Sequence, residues 1–242
     1  MREELKLETI RSNLIRQEET IIFAFIERAQ FKTNEVIYKE GGINIPKYQG
    51  NFLSYLLGEM ERVYAGVRRY TAPDEHPFTK NLPEPYIPTT DYVWPIKKNK
   101  ININDKIMKI YTDNILYTIC ENGDCGNYGS SAVCDINILQ ALSKRIHYGK
   151  FVAESKFIEN EEIYTKYINE KNSEKILSLL TNEEVEKNVL KRVKIKSETY
   201  GQNPLSDKKA YKIKPEVIEK IYYDFVIPLT KEVEVLYLFE RV

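Results

Sequence analysis

The apolar residues of this 242-residue chain recur every three or four positions over most of its length, which is the spacing of amphipathic α-helices. Clear alternation of apolar and polar residues, the sign of strands, is not evident. We therefore predict an all-α fold, a bundle of long helices with no significant β-sheet. The predicted helices cover residues 5–31, 51–70, 103–120, 132–158, 183–199 and 215–241.

Local sequence signals predict where these helices begin or bend and which of their faces point toward the core. Thr181 and Glu184 have the spacing of a capping box, and Pro228 is expected to bend the last helix without ending it. In helix 51–70, helix-spaced apolar residues predict a core-facing stripe, formed by Phe52, Leu56, Met60, Val63 and Val67.

Three loops separate the predicted helices. The first, Pro73–Pro95, holds six of the ten prolines and cannot be a continuous helix. Its large apolar residues predict an ordered loop that packs on the helices, through Phe78, Tyr86, Ile87, Tyr92 and Trp94. The other loops cover residues 121–131 and 200–215.

Charge and composition exclude several functional classes. Lys and Arg together number 36, as do Asp and Glu, so the net charge is zero and a dedicated nucleic-acid binder is not expected. The longest mainly apolar run, Ile21–Ile26, is too short to cross a membrane. The N-terminus has no apolar signal core, which predicts a cytosolic protein.

The cysteines do not indicate a disulfide scaffold, because there are three of them, Cys120, Cys125 and Cys134. A zinc site that uses them with His147 would lack the usual C-x-x-C pair. Free thiols in a reducing compartment are therefore favoured over a metal site.

Polar residues interrupt the apolar stripes of four predicted helices. The seam of helix 132–158 includes Arg145 and Lys156, about three turns or ~16 Å apart. The others are Arg11 in the first helix, Asn182 and Glu186 one turn apart at the start of the fifth, and Thr230 and Glu234 one turn apart in the last.

A buried charge needs a partner, since leaving it unpaired costs several kcal/mol. One interpretation is mutual pairing, with Arg11 or Arg145 bound to Glu186 or Glu234. The other is a water-poor pocket in the bundle whose ligand is an anion, and a dicarboxylate would suit the arginines. Periodicity alone does not choose between them.

Longer segments resemble a known family, the all-helical, eukaryotic-type chorismate mutases. The segments are LETIRSNLIRQEETIIFAFIERAQF, IPKYQGNFLSYLL, VRRYTAPDEHPF, NYGSSAVCDINILQALS, LSKRIHYGKFVAESKF and VIPLTKEVEVLYL. The resemblance runs in order from Leu7 to Arg241. It implies a homodimer that rearranges chorismate to prephenate by an intramolecular [3,3] shift, without a metal or organic cofactor.

The resemblance also implies roles for the residues on the seams. Arg11 and Arg145 match the arginines that hold the substrate carboxylates, and Lys156 and Glu234 match the pair at the ether oxygen. Asn182, Glu186 and Thr230 match supporting positions in substrate binding. Asn182 could instead serve only as a helix cap.

A second set of residues matches the family's effector site, where tyrosine inhibits and tryptophan activates. Arg68 and Arg69 match one subunit's contribution, and a loop of the other subunit contributes the positions matched by Asn127, Gly129 and Ser130. The alternative is a salt bridge at the dimer interface. Val133 stands where the family usually has a threonine, and Lys214 where it often has one, so altered regulation is expected.

We expect residues 1–242 to form one chorismate mutase domain, with the effector and dimer-interface region around 60–135. Two other functions stay open at this point. One is a catalytically silent helical dimer that binds an aromatic metabolite, and the other is a helical interaction protein whose seam charges form only salt bridges.

Overall fold

The fold is built from α-helices in the computed structural model, which describes residues 2–89, 92–202 and 210–241. Within these ranges no strand forms, and pairing is limited to an isolated bridge between Ile45 and Tyr48. The all-α prediction is confirmed. The helices are α1 (Leu7–Arg28), α2 (Phe52–Gly66), α3 (Asn104–Ile110), α4 (Leu116–Ile119), α5 (Tyr128–His147), α6 (Gly149–Glu159), α7 (Glu161–Asn169), α8 (Ser173–Leu180), α9 (Glu183–Tyr200), α10 (Pro215–Ile221) and α11 (Ile227–Arg241).

Two of the predicted helices contain a turn of π-helix. Tyr111–Ile115 joins α3 to α4, and Tyr222–Val226 joins α10 to α11. The second π turn lies just before Pro228, whose ring nitrogen cannot donate to the preceding turn. The last helix continues through Pro228 to Arg241, as predicted.

The helix predicted over 132–158 is divided at Tyr148, because α5 ends at His147 and α6 begins at Gly149. The joint coincides with a close approach of α11. A Cβ atom at position 149 would lie only 2.9 Å from the carbonyl oxygen of Thr230. Glycine therefore lets α11 approach the joint, one turn away from Arg145.

The capping-box prediction for α9 is wrong by one residue. Asn182 is the N-cap, and its side-chain oxygen accepts a hydrogen bond from the backbone N–H of Val185 at 3.1 Å. The Thr181 hydroxyl donates backwards to the Leu177 carbonyl. The helices α7 and α8 were not predicted, because each is short and its apolar face spans few residues.

Two predictions about burial are corrected. Of the stripe predicted in α2, Phe52, Leu56 and Met60 are partly buried against the core, whereas Val63 and Val67 are exposed. The fully buried side chains of this helix are Leu53, Leu57, Glu61 and Ala65. In the proline-rich loop, Phe78 and Trp94 pack on the core as expected, but three side chains do not: Tyr86, Ile87 and Tyr92 are exposed.

Packing between distant helices creates the space for a site. The helix α1 runs against α5, and α11 packs against both α6 and α8. Buried side chains from nearly every helix join one hydrophobic cluster. Among the described residues, no helix has the length and apolar character needed to span a membrane. Of the loop predicted at 200–215, residues 203–209 lie outside the described residues.

Candidate active site

A cavity of about 370 Å³ lies between α1, α5, α6, α8, α9 and α11. All seven seam residues singled out in the sequence line it: Arg11, Arg145, Lys156, Asn182, Glu186, Thr230 and Glu234. Apolar residues such as Ile10, Val152 and Ile227 form much of the remaining wall. Charged groups from distant parts of the chain are thus brought together in a largely apolar enclosure.

Arg145 is a buried guanidinium with few protein partners. Its Nη1 donates to Thr230 Oγ1 at 3.2 Å, while its Nε has no hydrogen-bond partner among the described residues. No carboxylate of the described chain lies within 4 Å of it. Burial lowers the pKa of Arg145, because the charged form loses its hydration. The side chain therefore has free N–H donors for an anion.

Thr230 holds this arginine in place. Its hydroxyl donates to the Val226 carbonyl at 2.6 Å and so presents the oxygen's remaining lone pairs to Arg145. Val226 closes the π turn that precedes α11. The π turn thus sets the position of the group that orients the arginine.

Glu234 is a buried carboxyl group whose Oε2 has no hydrogen-bond partner in the described chain. Burial raises the pKa of Glu234 to about 7, although the charges of Lys156 and Arg145 act in the opposite direction. A substantial fraction of this group is therefore protonated near neutral pH. In that form it can donate a hydrogen bond into the cavity.

Lys156 and Arg11, two further cations of the cavity, differ in exposure. The ammonium of half-buried Lys156 donates to the carbonyl oxygen of Leu180, at the C-terminal end of α8. Arg11 is exposed, and no hydrogen bond or ion pair joins its side chain to another described residue. The expectation that Arg11 is a buried charge is therefore wrong, and it stands at the open side of the cavity.

Mutual pairing between the seam charges does not occur among the described residues. Glu186 pairs with Lys231, at 3.0 Å between Oε1 and Nζ, rather than with either arginine. Lys231 also lines the cavity, although it was not predicted from the sequence. Its spacing could have indicated this position, because Lys231 lies one helical turn from Ile227 on the same apolar stripe.

Glu18 forms a structural ion pair within this bundle. Its carboxylate is fully buried and accepts two hydrogen bonds from Arg192, at 2.6 and 2.8 Å, and one from Lys196 at 3.3 Å. This ion pair ties α1 to α9 beside the cavity. Arg145 and Glu234, by contrast, have no such partner in the part of the chain that the structure describes, which distinguishes a ligand site from a structural ion pair.

The predicted effector residues lie outside this cavity. Arg68 has a left-handed backbone (φ 63°), and its Nε donates to the Ile87 carbonyl at 2.6 Å. Arg69 stacks on the Tyr64 ring, 4.8 Å from its centroid. Asn127, Gly129 and Ser130 are exposed at the start of α5. Among the described residues, no hydrogen bond or ion pair joins these two groups within one chain.

The cysteines and His147 do not come together as a metal site within the described ranges. Cys120 is buried, Cys125 is exposed, and Cys134 is half-buried. His147 lies in another environment, where its Nδ1 contacts the Ser143 carbonyl at 2.8 Å and its Nε2 accepts from the Ile103 N–H.

Together these features define a class of all-helical protein with a polar ligand cavity inside the bundle. Comparisons with known proteins define this class more closely. Residues 127–235 match the model of the family described as chorismate mutase type II. The chorismate mutase of Schizosaccharomyces pombe is 49% identical over 244 residues, covering 99% of this chain and 97% of that protein.

Solved structures agree with the sequence match. Aro7p chorismate mutase from Candida albicans, in complex with L-Trp, has a TM-score of 0.94 at 43% identity and covers 98% of this chain and 92% of its own. AtCM1 with tyrosine bound in the allosteric site has a TM-score of 0.91 at 43% identity, with coverage of 99% and 97%. The chain belongs to the chorismate mutase family, and it is therefore an enzyme that converts chorismate to prephenate.

Proposed function

We propose that the cavity between α1, α5, α6, α8, α9 and α11 is where this chain holds chorismate during the rearrangement. The observation that carries the proposal is a pair of buried atoms, Arg145 Nε and Glu234 Oε2, on the wall of one small cavity. Neither has a hydrogen-bond partner among the described residues. Chorismate is a dianion with an ether oxygen, so a carboxylate can supply the missing partner of Arg145 and the ether oxygen that of Glu234. Arginine can bind each carboxylate through two parallel hydrogen bonds.

Arg145 and Arg11 take the two carboxylates in this proposal. Arg145 approaches from the inner wall and Arg11 from the open side, so the ligand is gripped at two points. The grip holds the enolpyruvyl arm folded over the ring, with the carbon atoms that will bond close together. Orientation of this kind lowers the barrier of an intramolecular reaction by several kcal/mol.

Lys156 and protonated Glu234 act on the ether oxygen. As the C–O bond breaks and the C–C bond forms, this oxygen gains negative charge. Donors already aimed at it in a water-poor cavity stabilise the transition state more than the ground state. Asn182 is proposed to contact a substrate carboxylate, and Glu186, which is held by Lys231, to contact the ring hydroxyl.

The chemistry needs only these side chains, which leads to a direct test. We expect the purified chain to convert chorismate to prephenate at an unchanged rate after treatment with a metal chelator, measured as loss of chorismate absorbance. No turnover by the folded protein would contradict the proposal and favour the silent, metabolite-binding dimer. Activity that disappears with chelation and returns with added metal would also contradict it.

We also propose that the chain acts in the cytosol as a homodimer, with residues 1–242 forming one domain. Val63 in α2 and Val67 just after it support a dimer, because they leave exposed apolar surface, which Tyr86 extends. These residues fall at the start of the region around 60–135 assigned to the interface. Arg68 and Arg69 of one subunit would then face Asn127, Gly129 and Ser130 of the other and bind an aromatic amino acid.

We also predict that aromatic amino acids regulate the activity. Tyrosine is expected to lower the activity and tryptophan to raise it, and the variant with Arg68→Ala and Arg69→Ala should respond to neither. Exposed Val133 cannot hydrogen-bond a tyrosine hydroxyl, so Val133→Thr should strengthen the tyrosine effect. Initial rates across a titration of each amino acid provide the measurement. An unregulated wild-type enzyme would refute the effector site.

A further inference from the structure

A second, larger cavity of about 940 Å³ lies on a different part of the surface and is not used by the proposed chemistry. It shares no lining residue with the catalytic cavity. Four lysines and one glutamate are its charged lining residues: Lys97, Lys98, Lys100, Lys150 and Glu240. In a chain whose net charge is zero, this is a local concentration of positive charge.

The lysines of this cavity have no carboxylate partner among the residues that the structure describes. Within the described part of the chain, none of the four forms an ion pair within 4 Å. Lys150 is fully buried, and its ammonium donates to the carbonyls of Pro73 and Ile101 and to His76 Nε2, at 3.1, 2.8 and 2.7 Å. Its three donors are occupied, so it contributes charge to the inner wall rather than a free N–H.

The backbone around the three exposed lysines is held by α11. The Lys97 N–H donates to Tyr237 Oη at 3.2 Å, and the Lys100 N–H donates to a carboxylate oxygen of Glu240 at 3.1 Å. These contacts fix the segment and leave the ammonium groups free. Neutralising the side chains therefore removes charge without removing the contacts that hold the loop.

An aromatic wall accompanies the charge. Trp94 and Tyr92 line the cavity, and their ring centroids are 4.8 Å apart in an edge-on arrangement. Trp94 also packs edge-on with Phe151, at 6.2 Å between the ring centroids. A half-buried indole of this kind offers a flat surface on which a planar ring can stack.

The cations of the two cavities differ in chemistry. The catalytic cavity presents two arginines, whose planar forks suit carboxylates, beside Lys156 and Lys231, whereas the cations of the second cavity are all lysines. Lysine ammonium groups act as point charges and are common ligands of phosphate. We propose that the second cavity binds a phosphate ester that carries a planar ring, the chemistry of a nucleoside phosphate.

The test uses Trp94, which is the only tryptophan of the chain. Titration of the full-length enzyme with ADP, in the presence of a metal chelator, should change its intrinsic fluorescence to saturation. Adenosine, which lacks the charge, and inorganic pyrophosphate, which lacks the ring, should each bind at least about tenfold more weakly. Added salt should weaken ADP binding because it screens the lysines.

Matched variants locate the site. The triple variant Lys97→Gln, Lys98→Gln and Lys100→Gln should bind ADP about tenfold more weakly and keep normal chorismate turnover, which shows that it is folded. A control with the same loss of charge at exposed sites elsewhere, Lys109→Gln, Lys166→Gln and Lys220→Gln, should bind as the wild type does.

An Arg145→Met enzyme, altered only in the catalytic cavity, should also bind ADP normally. The proposal is overturned by the absence of saturable binding, by adenosine binding as tightly as ADP, or by equal affinity in the two lysine variants. It is likewise overturned if Arg145→Met abolishes the fluorescence change, since the ligand would then occupy the catalytic cavity.

Discussion

Replacing Arg145 with methionine is expected to lower kcat/KM for chorismate by at least about one hundred to one thousandfold, the usual cost of removing a transition-state donor. The same change should leave the free energy of unfolding unchanged or raise it. The reason is that Arg145 is buried with only one protein hydrogen bond, to Thr230, and no carboxylate partner among the described residues. Burying such a charge costs several kcal/mol that an apolar side chain of similar length avoids.

Arg241→Met is the matched control. Arg241 is also shielded, but it forms two hydrogen bonds with Glu154, at 2.7 and 3.0 Å, away from the cavity. Its loss should lower stability, because Glu154 is left buried, while kcat of the folded enzyme is preserved. Steady-state kinetics and urea unfolding of both variants provide the comparison. If Arg145→Met instead loses stability as Arg241→Met does and retains its activity, Arg145 is a structural residue.

The second large effect is on the pH dependence of the reaction. Burial raises the pKa of Glu234 to about 7, and only the protonated acid can donate to the ether oxygen. Activity should therefore be highest below this pKa and fall as pH rises through it. At pH 9, two units above the pKa, roughly one carboxyl in a hundred is protonated, so kcat/KM should be roughly one hundredfold below its plateau.

Glu234→Gln should remove this decline, because the amide remains a donor at every pH. Its rate at pH 9 should exceed that of the wild type. Glu186→Gln changes a cavity carboxylate that is already paired with Lys231, so it should retain the wild-type slope whatever its rate. A Glu234→Gln profile that falls like the wild type would assign the pH dependence to another group.

The raised pKa of Glu234 also has a consequence for stability. Between the ordinary glutamate pKa of 4.5 and about 7, the folded state holds a proton that the unfolded state releases. The corresponding stabilisation is complete below pH 4.5 and is lost as pH rises through about 7. The glutamine variant should lack this contribution, so its free energy of unfolding should vary less over that range.

The sequence predicted the long helices and the polar residues that line the cavity, because both depend on helical periodicity. Arg145, Thr230 and Glu234 interrupt apolar stripes, and a charged or polar residue on such a stripe has to face the interior of a bundle. All seven predicted residues reach one cavity. The family resemblance supplied their roles, which periodicity alone could not, since an ion pair such as Glu18–Arg192 has the same pattern.

Other features depend on tertiary contacts that the pattern does not encode. The apolar residues of α2 lie on more than one face, so the sequence did not show that Leu53 and Leu57 face the core while Val63 faces outward. The division at Tyr148 reflects the approach of α11 to Gly149. Arg11 is exposed because its turn of α1 lies at the open side of the cavity. The local sequence pattern does not show at which side of a cavity a helix turn will lie.

A crystal structure with a stable bicyclic dicarboxylate that mimics the transition state is the most direct test of the central claim, that this cavity clamps a dianion through two arginines. We expect Arg145 and Arg11 each to bind one carboxylate at about 2.7–2.9 Å, with Lys156 and Glu234 both on the ether oxygen. An analogue bound elsewhere, or bound here with Arg145 still contacting only Thr230, would contradict the account.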